Sequence, residues 1–134
     1  MIFKNNPWKI IIGGLAIACL SWWVANPLVW PDSWMHAWLL KKVPVGSSED
    51  HFLEVIKAEG WRLKFSWIPK NHQLNARESG GFDMRQTPLH GDKFYSIYMG
   101  NFRFILREDV QTFWAFDDKG CLIDVRIQRD VDAP

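Results

Sequence analysis

The chain has 134 residues, enough for one domain and an appendage, and its 16 lysines and arginines nearly balance 15 aspartates and glutamates. That balance excludes the basic stripe or patch that nucleic-acid binding requires. Tryptophan is the outlier: six of its nine residues, Trp8, Trp22, Trp23, Trp30, Trp34 and Trp38, fall within the first 38 positions, a placement expected where amphipathic rings sit at the headgroup level of a bilayer.

From Ile10 to Trp30 the chain reads IIIGGLAIACLSWWVANPLVW, 21 residues without a charge. About 20 apolar residues at 1.5 Å rise cross the hydrocarbon core of a bilayer. Residues 1–31 are therefore expected to form a cytoplasmic stub and a transmembrane helix, anchored by Trp8, Trp22, Trp23 and Trp30. Trp8 and Trp30 mark the interfaces of the full run, whereas a shorter span, Ile10 to Ala25, sets Trp22 and Trp23 nearer the outer one. Lys4, Lys9 and the free amine precede the run and Asp32 is the first charge after it. The positive-inside rule then puts the N-terminus in the cytoplasm and the remainder outside, with Lys41 and Lys42 counting the other way.

Three alternatives compete for this segment. Leu15-Ala16-Ile17-Ala18-Cys19 resembles a lipobox, but the apolar stretch before Cys19 is short and Leu20 to Val24 continues it where a lipidated terminus has a polar tether. A cleaved signal peptide lacks a small-x-small site. A buried core helix is disfavoured by Gly13-Gly14 and the unbroken apolarity. The two cysteines, Cys19 in this run and Cys121 near the far end, are expected to lie too far apart for a disulfide.

Asn26-Pro27 and Trp30-Pro31 break or kink the helix. Asp32 or Ser33 can cap a short juxtamembrane helix over 32–42, with Trp34, Met35, Trp38, Leu39 and Lys42 on one face. That face fits a membrane-surface helix with aromatic anchors and equally a helix packed on its own domain. His36 has no partner nearby in sequence, so a structural or solvated role is expected.

Residues 43–134 read as a small α+β domain. From Lys41 onward 14 basic and 14 acidic residues alternate without a block, as on a solvated globular surface. Ser47 or Ser48 caps a helix with Glu49-Asp50 in its first turn, Phe52, Leu53, Val55 and Ile56 on its apolar face, and Gly60 at its left-handed end. A Gly-Ser-Ser helix start can also bind anions, but the glycines and lysine of a phosphate loop are absent. Trp61 to Trp67 alternates strictly and predicts a strand with Trp61, Leu63, Phe65 and Trp67 on one face. Residues 69–92 are polar and rich in breakers, a long loop that gathers His72, Arg77, Glu78, Asp83, Arg85 and His90. No metal-ligand spacing is present in it.

Phe94 to Met99 predicts a second strand, Gly100-Asn101 a bend or bulge, Phe102 to Leu106 its continuation, and Arg107-Glu108-Asp109 a turn. The last two strands, Val110 to Phe116 and Cys121 to Gln128, flank Asp117-Asp118-Lys119-Gly120, a type I turn ending on a left-handed glycine. Cys121, Ile123, Val125 and Ile127 are expected on the buried face and Asp124, Arg126 and Gln128 on the other. The fold expected is α+β: an N-terminal transmembrane helix, then one or two helices packed on a three- to four-stranded antiparallel meander.

Val45-Gly46-Ser47-Ser48 before a helix, Gly60 after it, and Phe116-Asp117-Asp118-Lys119-Gly120-Cys121-Leu122 in a late hairpin resemble the SmpA/OmlA group of small envelope domains, which includes the BamE outer-membrane assembly lipoprotein. The resemblance covers about residues 43 to 128 and implies two helices followed by a three-stranded antiparallel sheet in a bacterial envelope protein. This chain differs in carrying a spanning helix in place of a clear lipobox, and a long segment between its first two strands. The resemblance carries over no functional residue.

These features predict a non-enzymatic, inner-membrane-anchored protein. Its periplasmic domain would bind another envelope protein, with no cofactor, no small-molecule substrate and no nucleic acid. The alternative is an inhibitor or immunity protein that neutralises a periplasmic toxin enzyme. Candidate contact residues are Trp67, His72, Arg77, Arg85, Tyr95, Tyr98, Asp124 and Arg126, with Trp114 as a further aromatic. An enzyme would need a nucleophile, base and orienting group in one pocket, drawn from residues such as His72, His90, Asp83 and Cys121, and no motif supplies that set.

Overall fold

The computed structural model describes residues 6–69, 89–103 and 106–131. Helix α1 (Pro7–Ala25) leads through a 3-10 turn (Pro27–Val29) into α2 (Asp32–Lys42) and α3 (Glu49–Glu59), followed by strands β1 (Arg62–Trp67), β2 (Lys93–Arg103), β3 (Arg107–Phe116) and β4 (Leu122–Val131). The strands form one antiparallel sheet in the order β1-β2-β3-β4, a meander.

Helix α1 starts where the Asn6 side chain accepts the Trp8 N–H and Pro7 occupies the first turn, a position that needs no donor. It stops at Asn26 because Pro27 forces the residue before it into extended backbone. Its 19 residues span about 28 Å at 1.5 Å each, their mean hydropathy is 1.6, and none is buried. The helix is thus long and apolar enough to cross a bilayer. Its end at Ala25 matches the shorter of the two expected spans: Trp22 and Trp23 occupy the last turn, and Trp30 lies beyond the helix in the linker.

Helix α2 differs from expectation at its start. Neither Asp32 nor Ser33 caps it; the cap position is Pro31, without a side-chain bond, and Asp32 is the first helical residue. Asp32 at one end and Lys41 and Lys42 at the other complement the helix dipole. Met35 and Leu39, four apart, are fully buried, while Trp34 is 56% exposed. In α3 the Ser48 hydroxyl accepts the His51 N–H, and Gly60 adopts φ 70 to end the helix, as the sequence predicts.

The core lies between these two helices and one sheet face. Phe52 of α3 is its centre, with ring centroids 5.0 to 5.1 Å from Tyr95, Trp114 and Phe116. Met35, Leu39, Val43 and Ile56 close it from the helix layer, and Ile97, Val110, Leu122, Val125 and Ile127 from the sheet. A smaller cluster, Leu89, Phe94, Phe113 and Ala115, with Trp67 against it, occupies the opposite face.

Three bulges decide which side chains reach which face. In β1 the register shifts between Leu63 and Phe65, so the alternation does not hold Trp61, Leu63, Phe65 and Trp67 on one face; Leu63 pairs with Ile97 and Phe65 with Ser96. β1 is an edge strand, and Leu63 and Phe65 are 44% and 37% exposed. In β4 the shift between Leu122 and Asp124 makes Ile123 the extra residue. Leu122 consequently enters the core and Ile123 is 39% exposed, the reverse of the expected assignment, whereas Val125 and Ile127 are buried as expected. Between Tyr98 and Gly100 a third shift falls where the Gly100-Asn101 pair predicts one, and a Cβ on Gly100 would meet Leu28 of the linker at 3.2 Å. Arg107 to Asp109 are not a turn: Arg107 already pairs with Arg103 and begins β3. The Asp117–Gly120 hairpin forms as read. Asp117 Oδ1 accepts from the Lys119 and Cys121 amides, both at 2.9 Å, and Gly120 has φ 76.

Candidate functional site

β4 is the outer strand opposite β1, and among the described residues other backbone covers its free edge only in part. At the start, Leu122 exchanges backbone bonds with Gly46 and Ser47, both 2.8 Å. Further along, a groove of about 500 Å³ opens between β4 and α2, lined by Asp32, Ser33, His36, Asp124, Val125, Arg126 and Ile127. Asp124 organises it. Its Oδ1 accepts the Val125 N–H at 2.8 Å and lies 2.9 Å from His36 Nε2. Both partners are partly exposed, with side chains 40% and 35% accessible, so the pair is open to solvent and to a ligand.

Asp124 and Arg126, two of the expected contact residues, thus come together in one groove. His36 joins them, and sequence reasoning missed it because its partner is 88 residues away. The groove offers an imidazole and a carboxylate beside a stretch of strand edge that pairs with no other backbone among the described residues. Ser33 lines the same groove, but no hydrogen bond joins its hydroxyl to His36 among the described residues. No group of three histidine, cysteine or carboxylate residues is placed to hold a metal ion among the described residues. The arrangement suits recognition of polar and charged groups.

Trp67 lies on the opposite face, stacked on Phe94 at 5.3 Å and 25° and edge-on to Phe113 at 6.3 Å. Ser96, Phe113 and Arg126 form one register row there. The Trp67 Nε1, Ser96 Oγ and Arg126 Nε atoms are buried and have no hydrogen-bond partner among the described residues. Tyr98 donates to Asp109 at 2.8 Å and accepts from Asn101 at 2.8 Å.

Tyr95 and Trp114 occupy the helix-side core, not a surface: Tyr95 is 5% exposed and Trp114 is fully buried. Strand parity sets this, since both lie in the Val125 register row beneath Phe52. The Tyr95 hydroxyl donates to Glu49 Oε2 at 2.8 Å, and Lys93 Nζ reaches the same oxygen at 3.0 Å. Burial first, and the Glu49 carboxylate after it, raise the Tyr95 pKa above its ordinary value against the opposing pull of Lys93. Hydrogen bonding to Tyr95 and then Glu49 raises that of Lys93. His72, Arg77 and Arg85 lie outside the described residues. Cys19 and Cys121 are free thiols, as expected.

One further cluster binds the linker to the domain. Arg129 of β4 donates to the Leu28 and Trp30 carbonyls at 2.5 and 2.8 Å, and pairs with Asp32 at 2.6 Å and Glu108 at 3.0 Å. Its planar fork of donors suits several acceptors at once, which a lysine cannot match. Trp30 Nε1 donates to the Trp23 carbonyl at 3.0 Å, near the end of α1. The Trp30, Trp38 and Trp61 rings then pack edge to face in series.

No family model matches the chain, and neither a curated protein nor a solved structure matches it.

Proposed function

We propose that the protein is a single-pass membrane-anchored binding module of a bacterial envelope. In this reading α1 crosses the inner membrane with its N-terminus in the cytoplasm, and the α+β domain binds another envelope protein from the periplasmic side. The observation that carries the reading is α1 itself: 19 residues of mean hydropathy 1.6 with none buried in the domain. A core helix of a soluble protein would bury that surface, and leaving it in water is costly. The charge distribution, Lys9 in the first turn of α1 and Asp32 as the first charge after the helix, favours the stated orientation.

Binding is supported by the α2–β4 groove. An outer strand with unpaired backbone groups is a template for an extended peptide, and the His36–Asp124 pair adds charged selectivity beside it. The envelope setting is the one implied by the resemblance to the BamE-like domains at residues 43–128. Photo-crosslinking from intact membranes tests the proposal, with the reactive residue at Ser33 in the groove and, as a control, at Leu53 on the exposed side of α3. A discrete crosslinked partner from Ser33, weakened by His36→Ala and absent from Leu53, is the expected result. Equal or no crosslinking at both positions, in protein whose domain is accessible from the periplasm, overturns the binding role.

A further inference from the structure

The sheet has two ends, and the chain enters the domain at only one of them. At the far end lie the Asp117–Gly120 hairpin and the Glu49–Lys93 pair, with Val45, Ile68 and Ile123 exposed around them. At the other, β2 runs into β3 and β4 terminates, and the register aligns Arg103 with Arg107 and Glu108 with Val131. Here apolar and cationic side chains are exposed together. Leu106 is 39% and Val131 53% exposed, and Arg103 is exposed; Arg107, 52% accessible, pairs with Asp109 at 3.2 Å, and Glu108 and Asp130 lie at the same end.

This second end is also where the chain arrives from α1. Leu28 sits against Gly100, and Arg129 holds the Leu28 and Trp30 carbonyls. The connection is therefore bonded to the domain along its length. At the same junction the Trp34 ring lies 5.7 Å from the Trp23 ring, two residues from the end of α1, and Trp34 is 56% exposed.

We propose that this end of the domain rests in the lipid headgroup layer of the membrane that α1 crosses. Leu106, Val131 and Trp34 contact the acyl boundary, and Arg103 contacts lipid phosphate. The inference rests on the anchoring proposed above and adds a second, lipid-facing surface to it. Three arguments select lipid as the occupant. The surface is continuous with the end of the spanning helix. Its composition, apolar and tryptophan side chains beside arginines, is that of interfacial segments. Arginine pairs with phosphate through its planar fork. The Arg129 bonds leave little slack to hold the domain away from the bilayer.

Spin labelling of the full chain in phosphatidylcholine–phosphatidylglycerol nanodiscs tests this. Single cysteines replace Ile12 in α1, Leu106 at the proposed contact, and Lys119 at the far end of β3, about 30 Å away at 3.3 Å per residue, in a Cys19→Ser, Cys121→Ser background. Collision with oxygen against a water-soluble nickel chelate reports depth. The expected order is Ile12 deep, Leu106 at headgroup depth and Lys119 in water. Arg103→Glu should shift the Leu106 label toward water and leave Ile12 and Lys119 unchanged. A Leu106 label as water-exposed as Lys119, with Ile12 deep, overturns the lipid surface and leaves the anchor standing. A Leu106 label shielded from both reagents assigns the surface to a protein contact and also overturns it. A water-exposed Ile12 overturns the anchor, and the inference falls with it.

Discussion

Removing the Arg129 guanidinium should detach the linker from the domain and cost the fold several kcal/mol. Arg129→Met keeps most of the stem and deletes every polar contact. The bonds to the Leu28 and Trp30 carbonyls are charge-assisted, worth about 1.5 kcal/mol each. The Asp32 pair adds little, because the Asp32 side chain is 58% exposed and water replaces its partner. Glu108 is only 21% exposed, so leaving it unpaired costs about 1 kcal/mol. The expected loss is about 3–4 kcal/mol, which for a domain of this size lowers Tm by about 15 °C or more. Thermal and urea unfolding of the full chain in detergent measure it. Amide exchange in residues 28–32 gives an independent readout, since these amides should exchange faster in the variant while those of β2 and β3 keep their order. Arg129→Lys should recover part of the loss, because an ammonium can reach one or two of these acceptors but not all. A loss below about 1 kcal/mol for Arg129→Met with unchanged linker exchange would refute the claim that this residue joins the two parts.

Four further outcomes follow from the same geometry. Tyr95→Phe should cost about 1 kcal/mol at neutral pH by removing the bond to Glu49. Both Tyr95 and Lys93 have raised pKa values, so their stabilising contribution is complete below about pH 10 and is lost as pH climbs through the folded-state values. An alkaline denaturation series should show a shallower decline in the phenylalanine variant, and an identical decline would remove Tyr95 from the account. His36→Ala should change stability by less than about 1 kcal/mol, since the pair it breaks is well exposed, while lowering groove crosslinking; a large destabilisation measured by urea titration would contradict the open groove. Gly120→Ala should cost about 1–2 kcal/mol through its φ of 76 and not through crowding, because the new Cβ would meet nothing closer than Glu49 at 3.7 Å. Phe52→Ala, at the centre of the core, should cost about 3–5 kcal/mol in the same unfolding assay.

Local chemistry made some elements readable before any coordinates. Ser48 and Gly60 bracket α3 because a hydroxyl satisfies a first-turn amide and only glycine enters the left-handed region cheaply. Asp117 to Gly120 specify their own turn, and Pro27 stops α1 through its missing donor and ring. The bulges at Lys64 and Ile123 were not readable in the same way. Each breaks a period of two without a glycine or proline to announce it, so the sides of Phe65, Leu122 and Ile123 come out contrary to simple alternation.

The candidate site was half legible. Asp124 and Arg126 can be picked out as polar residues on a terminal strand, but nothing near His36 points to Asp124, and nothing near Arg129 points to Leu28, Trp30 or Asp32. Composition and spacing determined the apolar span, the caps of α3, the last hairpin and the α+β class, because each depends on interactions within a few residues. Tertiary structure decided which tyrosine and tryptophan are core, where the edge of β4 stays open, and how the linker is held. Those outcomes depend on strand register and on pairings between residues about 90–100 apart in sequence, which no local pattern encodes and only the folded packing brings within bonding distance.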